Sequence, residues 1–545
     1  MKTKKIVSGA AVAFLVMAFF VSGVPATRAA LSTNASANVV VGQQNMTSNS
    51  ENQGVSLDST DANQLNFPRA PFFDGKKFFV VDQNNNRVLV YNSIPTADNT
   101  SADVVIGQPN MTSNGDNRGG AVAENTLSVP SGVFSDGKKL FVADAGNNRV
   151  LIYNSIPTAN NASADVVIGQ PNMTSNSENQ GSTVAANTLY SPTSLFSDGK
   201  RLFVSDWENN RVLIFNSIPT VDNANADVVI GQPDMTSNGD NQGGTVAANK
   251  LFNPNGIWGN GKKLFIADQY NSRILIYDSI PTTDNANADV VIGQPDMTSN
   301  SENQGSTVAA NTLNYPTHVV SYGPKLLVLD SNSRLLVFNS IPTANNASAD
   351  VVIGQPDMTS GDPNQGGASA AASTLYIPRG FFVGDSKLMI GDFYNNRVLV
   401  YNSFGSQWTI AKSHAQILSG NEKVKVKKSK LEFSGKKAAY KKGWVRIFRN
   451  NKQVRKVKIK NSGRWSAKFK DTGSTVKDFV IKYYSKNNIL QMNSETYTLG
   501  INRGSLSEAT LEKMSLSGTE NIGTDNNAVK ISKNHSKIDD AVKGM

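Results

Sequence analysis

The chain has 545 residues, too many for one small hydrophobic core, so repeats or several domains are required. It contains no cysteine, which excludes disulfides, thiol catalysis, thiolate metal sites and a lipid-modified cysteine. A formal net charge of +10 conceals a division: residues 31–404 carry 20 Lys+Arg against 32 Asp+Glu, whereas residues 405–500 carry 23 against 5.

In chain order, the basic start Lys2-Thr-Lys4-Lys5 precedes an apolar run from Ile6 to Val24 and small residues through Ala30. That succession predicts a secretory signal over residues 1–29, with cleavage after Ala26 or Ala29 both fitting. The expected location is secreted or envelope-associated, through a prokaryotic type of export. A membrane contact is expected only if this segment stays uncleaved.

Residues 38–404 repeat. Val-Val-Ile-Gly-Gln recurs with its glycine at Gly107, Gly169, Gly231, Gly293 and Gly354, and the variant Val39-Val-Val-Gly42-Gln stands ahead of them. A second motif places an arginine at Arg87, Arg149, Arg211, Arg273, Arg334 and Arg397, spaced by 62, 62, 62, 61 and 63 residues. Six units follow. In the second unit the strand candidates are Gly132–Ser135, Lys139–Ala143, Arg149–Tyr153 and Asp165–Ile168, with turns at Asp136-Gly137 and Gly146-Asn-Asn148. Four antiparallel strands repeated six times predict an all-β, six-bladed β-propeller. Because the fourth-strand motif comes first and the last unit lacks it, the N-terminal strand is expected to complete the last blade.

Pro130-Ser-Gly132-Val, Gly137, Leu140-Phe-Val-Ala-Asp144 and Asn147-Asn-Arg149-Val-Leu-Ile-Tyr153 carry a resemblance to the NHL-repeat propeller family. The frame returns in all six units. It departs from the family where the glycine after proline becomes Ala70, Ser194 and His318. Each unit also holds a polar insert such as Pro171–Gly181, longer than the about 40–50 residues of usual propeller repeats allow. Two insert types alternate, which points to growth by two-blade copies and a pseudo-threefold ring. The inserts lack a fixed alternating carboxylate pattern and read as solvated loops.

From 405 to 500, apolar and basic residues alternate, as in Trp444–Arg449, Lys456–Lys460 and Trp465–Phe469. Period-two alternation predicts a small antiparallel β-sandwich. Asn450-Asn-Lys452 and Gly463-Arg-Trp465 resemble bacterial immunoglobulin-like modules. Residues 501–545 are polar and read as a disordered tail, with a short helix near Ser507–Met514.

No catalytic constellation stands out. The six recurring aspartates Asp82, Asp144, Asp206, Asp268, Asp330 and Asp392 occur once per blade, so they read as turn scaffold. His318, His414 and His535 are the only histidines, too few for the multi-histidine metal site of propeller lyases. No cofactor is expected, although an oxygen-ligated calcium ion in the channel stays open, as in lactonase-like propellers. Asn-X-Ser/Thr matches occur at Asn110, Asn161 and Asn172, and the first and third of these positions hold Asp234 and Asp296 in other units, so the fold does not need the acceptor.

Positions that differ between otherwise uniform blades carry more information. They follow the proline or the recurring aspartate, and the contact residues among them are Arg69, Trp207, Glu208, Tyr270, His318, Arg379, Phe393 and Tyr394. The expected function is an extracytoplasmic binding or scaffold protein. Its propeller face takes a protein or glycan partner, and the basic module at 405–500 binds an anionic envelope polymer. Nucleic acid is disfavoured by export and by the lack of a nucleic-acid motif. The rival is a lactonase- or lyase-like enzyme with a channel-bound divalent cation.

Overall fold

A computed structural model describes residues 32–55, 60–402 and 404, together with eight strands between Lys423 and Ser536. The signal segment and Ser507–Met514 lie outside the described residues. Among the described residues no helix is long and apolar enough to cross a membrane.

Six four-stranded antiparallel sheets form a six-bladed propeller. In the second blade the strands are Pro130–Ser135, Leu140–Asp144, Arg149–Tyr153 and Val166–Ile168. Their short apolar runs are buried on both faces because each blade packs against two neighbours. Val142, Leu151 and Val167 are fully buried, each such side chain contributing about 1.5–3 kcal/mol. The first strand of each blade is innermost, and successive inner strands lie side by side, the sixth against the first. In the sixth blade the outer position is taken by Val39–Val41, with Val39 opposite Val400 and Val41 opposite Val398.

The recurring aspartate and arginine form one buried clamp per blade. Asp206 Oδ1 accepts the Tyr190 N–H at 2.7 Å, and Oδ2 accepts Asn209 Nδ2 and Arg211 Nε, both at 2.8 Å. Arg211 then donates to the carbonyls of Met235, Ala185 and Thr188. Both side chains are fully buried. The aspartates are scaffold, but they order more than a turn: through the arginine they hold two stretches of polar insert.

The inserts are therefore not solvated loops throughout. Asn52, Asn117, Asn179, Asn241 and Asn364 are buried in left-handed backbone and pair with the asparagine between the clamp's aspartate and arginine, as in Asn179 Nδ2 to Asn209 Oδ1 at 3.1 Å. The Asn-X-Thr matches at Asn110 and Asn172 are Asx turns, in which the side-chain oxygen accepts the N–H two residues on. Asp234 and Asp296 do the same, which explains the Asn/Asp interchange.

The glycine after proline has a steric reason. A Cβ on Gly256 would lie 2.6 Å from His318 Cα, and one on Gly380 would lie 2.7 Å from Ala70 Cα. Gly132 meets Thr193 O at 2.8 Å in the same way. Blades two, four and six thus omit a Cβ where blades three, five and one bring in Ser194, His318 and Ala70. The departures from the repeat are the other half of an alternating packing rule.

Beyond the propeller, one sheet holds Lys423–Lys427, Lys430–Lys436 and Arg464–Lys470, and a second holds five strands. The fifth of these, Ile531–Ser536, pairs with Ser494–Leu499 and lies within the stretch read from sequence as a disordered tail. Polar composition concealed it, because a strand at a sheet edge needs backbone pairing more than apolar residues.

Candidate functional site

In the first four blades the inner strand starts opposite the end of its neighbour, as where Pro68 pairs with Asp82 and Pro192 with Asp206, and in the last two the pairing begins at His318 and Phe381. The residues flanking the proline and those following the aspartate therefore emerge on one face of the ring. The blade-variable positions surround a single channel mouth.

The mouth descends in tiers. The residue after each proline gives Arg69, Ser131, Thr193, Asn255, Thr317 and Arg379. Ser131 and Thr317 donate to the proline carbonyl of the next blade, at 2.7 and 3.1 Å, so these hydroxyls stitch blades together. Asn255 Nδ2 donates to Gln269 Oε1 at 2.9 Å. Below them lies the alternating tier of glycine, Ala70, Ser194 and His318. Deeper still, Phe72, Phe134, Phe196, Trp258 and Phe382 contact one another with centroids 4.4–6.0 Å apart, and Val320 occupies the sixth position. This aromatic layer narrows the channel, leaving a cavity of about 40 Å³. That is room for about three waters at roughly 10–15 Å³ each.

Arg69 and Arg379 differ from the rest of their tier. Their guanidinium carbons sit 5.9 and 5.1 Å from the centre of the same Phe393 ring. Neither has an acidic partner among the described residues, and Arg379 Nε is buried without a hydrogen bond. Both side chains are half-buried and line the channel. Burial and the adjacent Arg379 charge lower the Arg69 guanidinium to about 9, so it remains charged at neutral pH. Burial and then Arg69 lower the His318 imidazole to about 4, keeping it neutral. Its ring meets Phe381 edge-on at 5.3 Å.

Two aromatic arcs rise from the mouth. In one, Tyr270 contacts Trp207, Phe252 and Tyr315 at 6.2, 5.1 and 5.2 Å. In the other, Phe67 stacks on Phe393 at 4.8 Å and Tyr394 contacts Phe67 and Tyr376. Tyr270 and Tyr394 are exposed, at 40% and 39%. Trp207 Nε1 donates to Gln269 Oε1 at 3.3 Å. Glu208 stands beside Asn253, and burial raises its carboxyl against that hydrogen bond. Tyr315 donates its hydroxyl to Glu302 at 2.5 Å, which pushes it up to about 12.

The structure thus gathers Arg69, Arg379, Phe393 and Tyr394 at the first and sixth blades. It places His318 below them, and Trp207, Glu208 and Tyr270 on the other arc. Phe67, Phe252, Tyr315 and Tyr376 were not singled out from the sequence. Their signal was present: the two residues before each proline vary between blades as much as those after it. The residue immediately before it also has positive φ in all six blades, from 41° at Ile377 to 53° at Phe67. A cis bond or glycine is absent there; instead the N–H is held by the preceding blade, as in Phe67 to Asn396 Oδ1 at 2.9 Å.

No Asp or Glu lines the channel, and no group of three His, Asp or Glu side chains suited to a metal occurs among the described residues. A divalent cation at the mouth would face two guanidinium groups.

No family model matches the chain, and no curated protein does. Solved structures similar to it include the computationally designed Ika8 protein, 7% identical with a TM-score of 0.32, covering 67% of this chain and 99% of that one. The WD40 β-propeller domain of Doa1 is 9% identical with a TM-score of 0.32, covering 63% and 95%. The extracellular domain of the hybrid two-component system BT3049 from B. thetaiotaomicron is 11% identical with a TM-score of 0.34, covering 80% and 56%.

Proposed function

We propose that the protein is an extracytoplasmic binding or scaffold protein that presents the mouth face of its propeller to a protein or glycan partner. The observation that carries this reading is the collection of blade-variable aromatics and arginines around one mouth, on a frame otherwise uniform. Rigid aromatic and arginine side chains supply most of the energy in typical contact surfaces. A propeller holds them without rearrangement. The frame belongs with the NHL-repeat propellers in this reading, and the register of Val39–Val41 on the sixth blade supports closure of the ring by the chain's first strand. The basic strands beyond residue 405 form an immunoglobulin-like sandwich that tethers the protein to an anionic envelope polymer. Two arginines and no carboxylate in the channel lining weigh against the cation-dependent hydrolase or lyase alternative.

The test is retention of the full chain on isolated envelope material across a salt series. A saturable component should fall at least tenfold in the double variant Tyr270→Ala, Tyr394→Ala, and a second component should weaken steeply with salt. Equal saturable binding by the variant sinks the face reading. Salt-insensitive retention sinks the tether.

A further inference from the structure

We propose that the channel mouth between the first and sixth blades binds an oxyanion, a carboxylate or phosphate group carried by the ligand, on the paired guanidinium groups of Arg69 and Arg379. The inference deepens the reading of this face as the binding face and rests on it.

Four observations converge. First, two like charges share one aromatic ring, Phe393, at 5.9 and 5.1 Å, with no acidic partner among the described residues. Burying guanidinium groups beside one another is unfavourable unless a counter-charge joins them. The six other propeller arginines that the fold buries completely each have an aspartate at 2.7–3.2 Å. The fold therefore supplies a partner wherever an arginine is purely structural. Second, Arg379 Nε is a buried donor with nothing to donate to. Planar guanidinium forks match the paired oxygens of carboxylate and phosphate. Third, the surrounding propeller segment has an excess of acidic residues, 32 against 20 basic ones, yet none lines the channel where the two arginines lie. Carboxylates available elsewhere are absent where they would compete with an incoming anion. Fourth, about 40 Å³ of space above the aromatic layer admits the tip of a ligand and not its body. The rings of Tyr270 and Tyr394 then remain on the rim for the rest of the ligand.

His318 is the built-in reporter. The Arg69 charge helps to keep it neutral, so an anion offsetting that charge should let it take up a proton at higher pH. With three histidines in the chain, its resonances are separable.

The experiment titrates the full chain, at constant ionic strength, with glucuronate, inorganic phosphate and glucose. At least one oxyanion should bind saturably and raise the His318 titration midpoint, while glucose does neither. Glucuronate binding alone assigns a carboxylate, and phosphate binding alone a phosphoryl group. Arg69→Gln and Arg379→Gln should each weaken binding at least tenfold. Removing an uncompensated charge should not impair folding. As a second measurement on the unaltered protein, phenylglyoxal modification mapped by peptide should slow at Arg69 and Arg379 when the oxyanion is present. The proposal is overturned if neither oxyanion binds, if the double variant binds as the parent does, or if the two arginines gain no protection. Loss of polymer capture in Tyr270→Ala, Tyr394→Ala with oxyanion binding intact speaks to the face. Absence of oxyanion binding by the unaltered protein, with its polymer capture intact, overturns only this inference.

Discussion

Asp206→Asn is nearly isosteric, yet it should destabilise the propeller severely. With the remaining oxygen kept toward the Tyr190 N–H, the new amide nitrogen faces Arg211 Nε and Asn209 Nδ2, donor against donor. The guanidinium keeps its three carbonyls but loses its only counter-charge, in a site without solvent. Breaking a buried pair from one side costs about 3–5 kcal/mol. The double change Asp206→Leu, Arg211→Met should lose less than the two single changes together, but should not restore the parent stability. The carbonyls of Met235 and Thr188 stay unbonded at about 1–3 kcal/mol each, whereas that of Ala185 keeps the Thr188 hydroxyl. The fifth blade is an internal control: Arg334 lies 3.2–3.3 Å from Asp330, so Asp330→Asn should cost less. Urea unfolding gives the stability change, and hydrogen exchange near Met235 localises it. A loss below about 1 kcal/mol for Asp206→Asn would falsify the clamp as the tie between turn and insert.

Gly256→Ala places a Cβ 2.6 Å from His318 Cα, so the inner strands of blades four and five must separate. A loss of about 1–3 kcal/mol is expected, and Ser194→Ala in the alternate tier should cost much less; thermal unfolding of both variants decides. The His318 imidazole, lowered to about 4 from an ordinary 6.5, binds fewer protons folded than unfolded between those values. Stability contributed by neutral His318 is therefore complete above pH 6.5 and is lost as pH falls toward 4, by at most about 1.4 kcal/mol per pH unit and less for a ring open to the lumen. His318→Asn should flatten that part of the pH–stability curve, and a superimposable curve would rule the account out.

Much of the architecture was legible because a repeat states its own constraints. The spacing of Arg87 through Arg397 counted the blades, and the apolar runs between turn residues marked the buried strands. The once-per-blade aspartates read correctly as scaffold, since a position required six times is required by the fold. Comparison of the repeats also marked Arg69, Arg379, Trp207 and Tyr394, which share one face because strand pairing places the proline opposite the aspartate. The strand at Ile531–Ser536 was hidden because its partner is chosen by backbone pairing rather than by an apolar pattern.

Sequence by itself determined the number of blades, their strands and the division between an acidic ring and a basic module, because these follow from periodicity and composition. Tertiary structure alone decided what closes onto what. It set Gly256 against His318 and Gly380 against Ala70, turning apparent irregularities of the repeat into paired positions. It also brought Arg69 and Arg379, more than three hundred residues apart in the chain, over one Phe393 ring. The physical reason is ring geometry: only closure makes the first and sixth blades neighbours, and only neighbours reveal a charge left without its partner.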